Sequence, residues 1–187
     1  IKQTPTYSMR TLAFHEAVPG HHLQNALSLE NEDLSLYRKF GYYTSAFGEG
    51  WALYAEKLAV ESGLTKNLYD ELGVLQSELF RAVRLVVDTG MHYKRWTREE
   101  AMAYMKSITG MSDTEVVTEI ERYIVWPGQA CSYKVGMLKI LQLRDKAKEE
   151  LGENFDIKAF HSAVLDHGEP PLFIVEEFVE KMIQKLK

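Results

Sequence analysis

The sequence predicts an all-α domain on three observations. Apolar residues recur at three- and four-residue spacing, helix-start and helix-stop residues punctuate those stretches, and no segment alternates as a half-buried strand does. The first long stretch, "SLYRKFGYYTSAFGEGWALYAEKLAVESG", keeps helical spacing and stops near Gly63. "YDELGVLQSELFRAVRLVVDTGMHY" continues the pattern. Two short connecting helices follow, each opened by a capping box that satisfies free N–H groups, Thr97 with Glu100 and Ser112 with Glu115. "CSYKVGMLKILQLRDKAKEELG" is a longer helix ending at Gly152, and "IKAFHSAVLDHG" stops before Pro170 and Pro171. From there the last helix, "LFIVEEFVEKMIQKLK", departs.

Composition narrows the function. A chain of 187 residues with 45% hydrophobic and 11% aromatic content has enough apolar material for a packed core. No repeat, low-complexity tract or linker divides it, so residues 1–187 read as one domain. The formal charge of -5 comes without a basic cluster, which argues against nucleic acid as a partner. No apolar run approaches the roughly 20 residues a membrane-spanning helix requires. The single cysteine, Cys131, excludes an internal disulfide and reads as an ordinary buried thiol. The chain reaches its most distinctive motif within fifteen residues and lacks an initiator methionine, so a fragment of a longer protein is expected.

That motif is "HEAVPGHHLQ", which begins like the His-Glu-x-x-His helix of zinc proteases and then departs from it. On a regular helix, histidines four apart converge on a metal, and a glutamate beside the first points at the bound water. Here the fourth position is Pro19, and the next histidines are His21 and His22. Six residues of regular helix separate side chains by roughly 9 Å of rise. Pro19 and Gly20 offer a resolution, because proline breaks the helical ladder and glycine accepts unusual backbone geometry. Two residues looped out would bring His15 and His21 together. The alternative is a helix ending at Val18 and another starting at Gly20, with the histidines unconnected. Downstream, "FGEGWALYAEKL" places Glu49 between glycines and Glu56 near the same helix face. One could ligate and the other hold a ligand histidine in its tautomer, although for Glu56 alone a solvent-facing position is the ordinary expectation.

Four motifs in order, "FHEAVPGHHLQ", "GEGWALYAE", "RLVVDTGMH" and "PGQACSYKVG", resemble the bacterial family designated domain of unknown function 885, which is grouped with the zincin-like peptidase clan. The resemblance covers most of the chain. Members of that family are longer, so this chain resembles their C-terminal part, and the N-terminal portion of the parent is an expected partner. The resemblance implies a gluzincin-like helical domain with zinc on His15, His21 and Glu49 and with Glu16 as general base. It prefers His21 to His22 because Gly20-His21 matches the clan's Gly-His pair. It implies hydrolysis of a peptide or small amide. A non-catalytic scaffold with a degenerate site and a hydrolase of non-peptide amides are the alternatives. Periplasmic, lipid-anchored and cytoplasmic parents are all compatible with it.

Supporting roles follow. Arg84, Asp88 and His92 form one helical stripe, which reads either as a solvated salt-bridge ladder or as site residues. In the second case Asp88 orients a ligand histidine and Arg84 holds a substrate carboxylate. Tyr133 is the candidate oxyanion donor, as related helical peptidases use a tyrosine, with Gln129 and His22 as further polar neighbours. His161 and His167 read as ordinary histidines.

Overall fold

A computed structural model describes residues 5–187 and is helical throughout, with no strand among the described residues. The α-helices run α1 Met9–Glu16, α2 His21–Glu30, α3 Ser45–Glu61, α4 Leu68–His92, α5 Arg98–Thr109, α6 Asp113–Val125, α7 Gln129–Leu151, α8 Ile157–Leu165 and α9 Leu172–Leu186. Both capping boxes form, with Thr97 and Ser112 accepting from the N–H of Glu100 and Glu115. Gly63, Gly110 and Gly152 follow helix ends at positive φ, where a side chain is disfavoured. No helix among the described residues is long and apolar enough to cross a membrane.

One sequence reading is corrected. The stretch from Ser35 to Gly63 is not a single helix: a π-helical turn at Tyr37–Gly41 is followed by extended backbone, and α3 starts only at Ser45. A tertiary contact fixes that start. The Thr44 hydroxyl donates to the Glu169 carbonyl at 2.9 Å, while the Thr44 carbonyl accepts from Phe47 and Gly48. Periodicity continues through the break because the aromatic residues on both sides share helical spacing.

The centre of the molecule is the α3–α7 crossing. A Cβ at Gly50 would meet the Gly136 backbone, and one at Gly136 would overlap the Ala46 carbonyl, so the two helices touch backbone to backbone. Around this crossing Trp51 and Tyr54 of α3 pack with Met137 and Ile140 of α7, Phe160 of α8 and Val179 of α9. A second cluster joins Val83 and Val87 of α4 to Met105, Ile120 and Tyr123. Each fully buried large side chain contributes about 1.5–3 kcal/mol. Helix α3, which carries Glu49 and Glu56, is thus held on a rigid frame.

Helix α4 shows the second departure. Arg84 and Asp88 are buried, whereas the apolar Leu79 and Val86 of the same helix are exposed. The stripe is therefore not a solvated ladder, because each buried charged group has a protein partner. Gly136→Val is expected to force α3 and α7 apart and destabilise the fold by about 1–3 kcal/mol in a urea melt. Val135→Ala, at an exposed neighbouring position, should change stability by less than about 0.5 kcal/mol.

Candidate metal centre

Helix α1 ends at Glu16, and α2 begins at His21. Residues 17–20 turn the chain between them, with Leu23 N–H donating to Ala17 and Gln24 N–H to Gly20. A Cβ at Gly20 would overlap the His15 carbonyl, so the turn closes only with glycine there. Trp51 of α3 donates its indole N–H to the Pro19 carbonyl at 2.9 Å, anchoring the turn to the core. The two sequence alternatives therefore do not exclude each other. The helix does end, and the break still brings His15 and His21 together, with ring centroids 4.9 Å apart.

Glu49 completes the cluster. One ligand atom each from His15, His21 and Glu49 lies within 4.8 Å of the others. Glu49 Oε2 is 3.6 Å from His15 Nε2 and 3.3 Å from His21 Nε2. Those separations are long for charge-assisted hydrogen bonds, which favour about 2.7–2.9 Å. They match the spacing of about 3.3–3.4 Å between donors that surround one ion tetrahedrally at 2.0–2.1 Å. Two imidazoles and a carboxylate are also the donor chemistry zinc accepts, so the residues fit such a metal.

On its other side, His15 Nδ1 is 2.7 Å from Glu56 Oε1, and Glu56 is only 1% exposed. Glu56 is thus not solvent-facing, as its ordinary expectation held, but fixes the ring that would present Nε2. Spacing gave the clue, since Glu56 lies two helical turns from Glu49. Tyr133 stacks on His15 with centroids 6.2 Å apart, and its hydroxyl lies beside Glu49.

The electrostatics follow from this crowding. Burial alone would raise the Glu49 pKa, but the neighbouring His15 and His21 imidazoles and the Tyr133 hydroxyl outweigh it and hold the carboxyl at about 2. Burial disfavours a charged His15, yet contacts with Glu49 and Glu56 leave its pKa above 6.5. A proton and a metal would compete for this imidazole.

The remaining candidates separate. Glu16, at the end of α1, and His22 are both exposed. Arg84 donates to Tyr123 at 2.9 Å and to Glu119 at 2.8 Å, so its fork is largely committed to the protein. Asp88 accepts from the Gly128 N–H at 3.0 Å and fixes the α6–α7 turn rather than a ligand histidine. His92 Nε2 lies 2.9 Å from the Tyr123 carbonyl, close to neither His15 nor Glu49 in any contact it makes. Gln129 accepts from Arg122 at 2.8 Å and lies 3.4 Å from the Ser45 hydroxyl at the start of α3. His161 pairs with the Tyr54 hydroxyl at 2.8 Å, and burial lowers its pKa to about 4.

Sequence reasoning also missed neighbours. Gln24 of α2 donates to Glu169 at 2.8 Å, and Glu169 in turn receives Thr44, so one residue braces the helices bearing His21 and Glu49. Burial raises the Glu169 pKa. Arg81 of α4, partly buried, contributes a positive field felt at His15. These contacts are long in sequence and leave no local pattern.

Zinc affinity is expected to climb as pH rises through the raised pKa of His15 and then level off. Glu49 and Glu56 together raise this pKa, and Glu56→Gln removes one of the two charges, so the rise should shift to lower pH. Lost support for the ring should lower the plateau affinity about 10–100-fold. Competition titrations against a chromogenic chelator between pH 5 and 9 measure both effects; an unchanged plateau would contradict the role given to Glu56.

Comparison with other proteins agrees with the architecture. A crystal structure of a "putative lipoprotein" from Colwellia psychrerythraea superposes with a TM-score of 0.95 at 51% identity, covering 98% of this chain and 32% of that one. A "putative lipoprotein of unknown function" from Shewanella oneidensis gives 0.86 at 29% identity, covering 94% of this chain and 32% of its own. The chain thus spans about a third of the length of these relatives. No curated protein matches it. The family described as "Bacterial protein of unknown function (DUF885)" matches residues 1–179, and the chain belongs to that family.

Proposed function

We propose that this chain carries the metal site of a gluzincin-like, zinc-dependent hydrolase of peptide or similar amide bonds. The observation behind this reading is the convergence of His15, His21 and Glu49 at ligand spacing, with Glu56 fixing the far side of His15. Because the chain spans about a third of its solved relatives, the activity is proposed for the longer parent, whose other parts would be its partner in forming a cleft.

Bound at this cluster, zinc supplies an acidified water and a Lewis-acid contact for a carbonyl oxygen. The chain's own residues supply the rest. Glu16, exposed beside His15, takes the proton of the attacking water and passes it to the leaving amine. Tyr133, whose hydroxyl lies beside Glu49, donates to the carbonyl oxygen as it gains negative charge. Glu56 keeps His15 oriented.

Glu16→Gln in the full-length protein should retain bound zinc but lose about 10²–10⁴-fold in turnover. Cleavage of a mixed peptide set, followed by mass spectrometry, measures this loss. Undiminished cleavage by the variant would remove Glu16 from the mechanism. Turnover confined to non-peptide amides would move the substrate class, and no turnover of any amide despite bound zinc would favour a scaffold.

A further inference from the structure

Behind His15 lies a cavity of about 250 Å³ between α1, α4 and the α5–α6 connection. Its lining includes Thr11, His15, Glu56, Ser77, Phe80 and Arg81. Three buried polar atoms on this lining have no hydrogen-bond partner among the described residues: Thr11 Oγ1, Glu56 Oε2 and Arg81 Nε. Folded proteins rarely leave such groups unmatched, and they gather here around one space.

Arg81 is the informative member. Its hydrogen bonds go only to Ser77, one turn earlier, at 2.6 Å to the hydroxyl and 3.4 Å to the carbonyl. Its guanidinium carbon lies 5.3 Å from the Phe80 ring centroid and 5.6 Å from that of Tyr133, the ring that stacks on His15. Arg84, one turn along, is committed to Glu119 and Tyr123. The Nη1 of Arg84 is also without a partner among the described residues, but Arg84 does not line this cavity, so Arg81 is the cation that offers it a spare donor.

We propose that Arg81 binds the carboxylate of a short substrate, with the free oxygen of Glu56 accepting that substrate's amide N–H. A peptide chain end carries both groups, which complements a cavity offering one uncommitted cation and one uncommitted acceptor. Resting on the hydrolase reading, this assigns the site to substrates with a free carboxylate near the scissile amide, such as peptide C-termini or N-acyl amino acids.

The test measures binding and needs no turnover. N-acetylglycine and N-acetylglycinamide are titrated calorimetrically into the full-length protein, with and without zinc. The acid should bind at least about tenfold more tightly than the amide. Arg81→Met should abolish that preference in both metal states, and Arg81→Lys should keep part of it, with circular dichroism reporting the fold of each variant. Equal binding of acid and amide, binding of neither, or a preference that survives Arg81→Met would overturn the proposal. Should Arg81→Met fail to fold, a preference undiminished in Arg81→Lys would overturn it as well, since lysine lacks the bidentate fork. A failed hydrolase reading looks different: the acid preference remains while Glu16→Gln changes no cleavage.

Discussion

The hydrogen bond between His15 and Glu56 is the contact on which the site depends. It joins α1 to α3 in the interior, at 2.7 Å with both side chains almost wholly buried. A carboxylate buried this deeply is costly unless it is paired, so the pair holds only because the helices around it cannot separate. The backbone contact between Gly50 and Gly136 supplies that rigidity by seating α3 on α7. With the ring fixed from Nδ1, Nε2 has one direction to face, and Glu49 and His21 meet it there.

The same crowding gives the cluster opposed pH dependences in the metal-free state. Glu49, held at about 2, contributes stability above its unfolded value of 4.5, and that contribution is lost as pH falls toward 2. His15, with a raised pKa, contributes most below 6.5 and loses its contribution as pH rises through the raised value. A divalent cation would replace the departing proton as the positive partner of Glu49 and Glu56.

Much of the fold was legible because helix signals are local. The two capping boxes at Thr97 and Ser112 and the stops at Gly63 and Gly152 depend on neighbouring residues and appear where the sequence puts them. The start of α3 was not legible, since Thr44 is fixed by Glu169, 125 positions away. In the site, the cluster of His15, His21 and Glu49 could be named from motif and resemblance, but the way it closes could not. A looped-out helix was one expectation, whereas the chain ends one helix at Glu16 and starts another at His21. The spacing of Arg84 and Asp88 left a salt-bridge ladder and a site role both open, and the structure commits them to contacts with α6 and the α6–α7 turn. Arg81 and Glu169 gave no signal, because what singles them out is a cavity and a buried contact.

The most direct test of the account is the metal content of the full-length protein purified without chelator, read by elemental analysis beside His15→Ala. About one zinc per chain is expected, with X-ray absorption showing nitrogen and oxygen ligands at about 2.0–2.1 Å, and with the metal lost in the variant. A protein that stays metal-free after exposure to zinc, or that holds zinc equally well without His15, would contradict it.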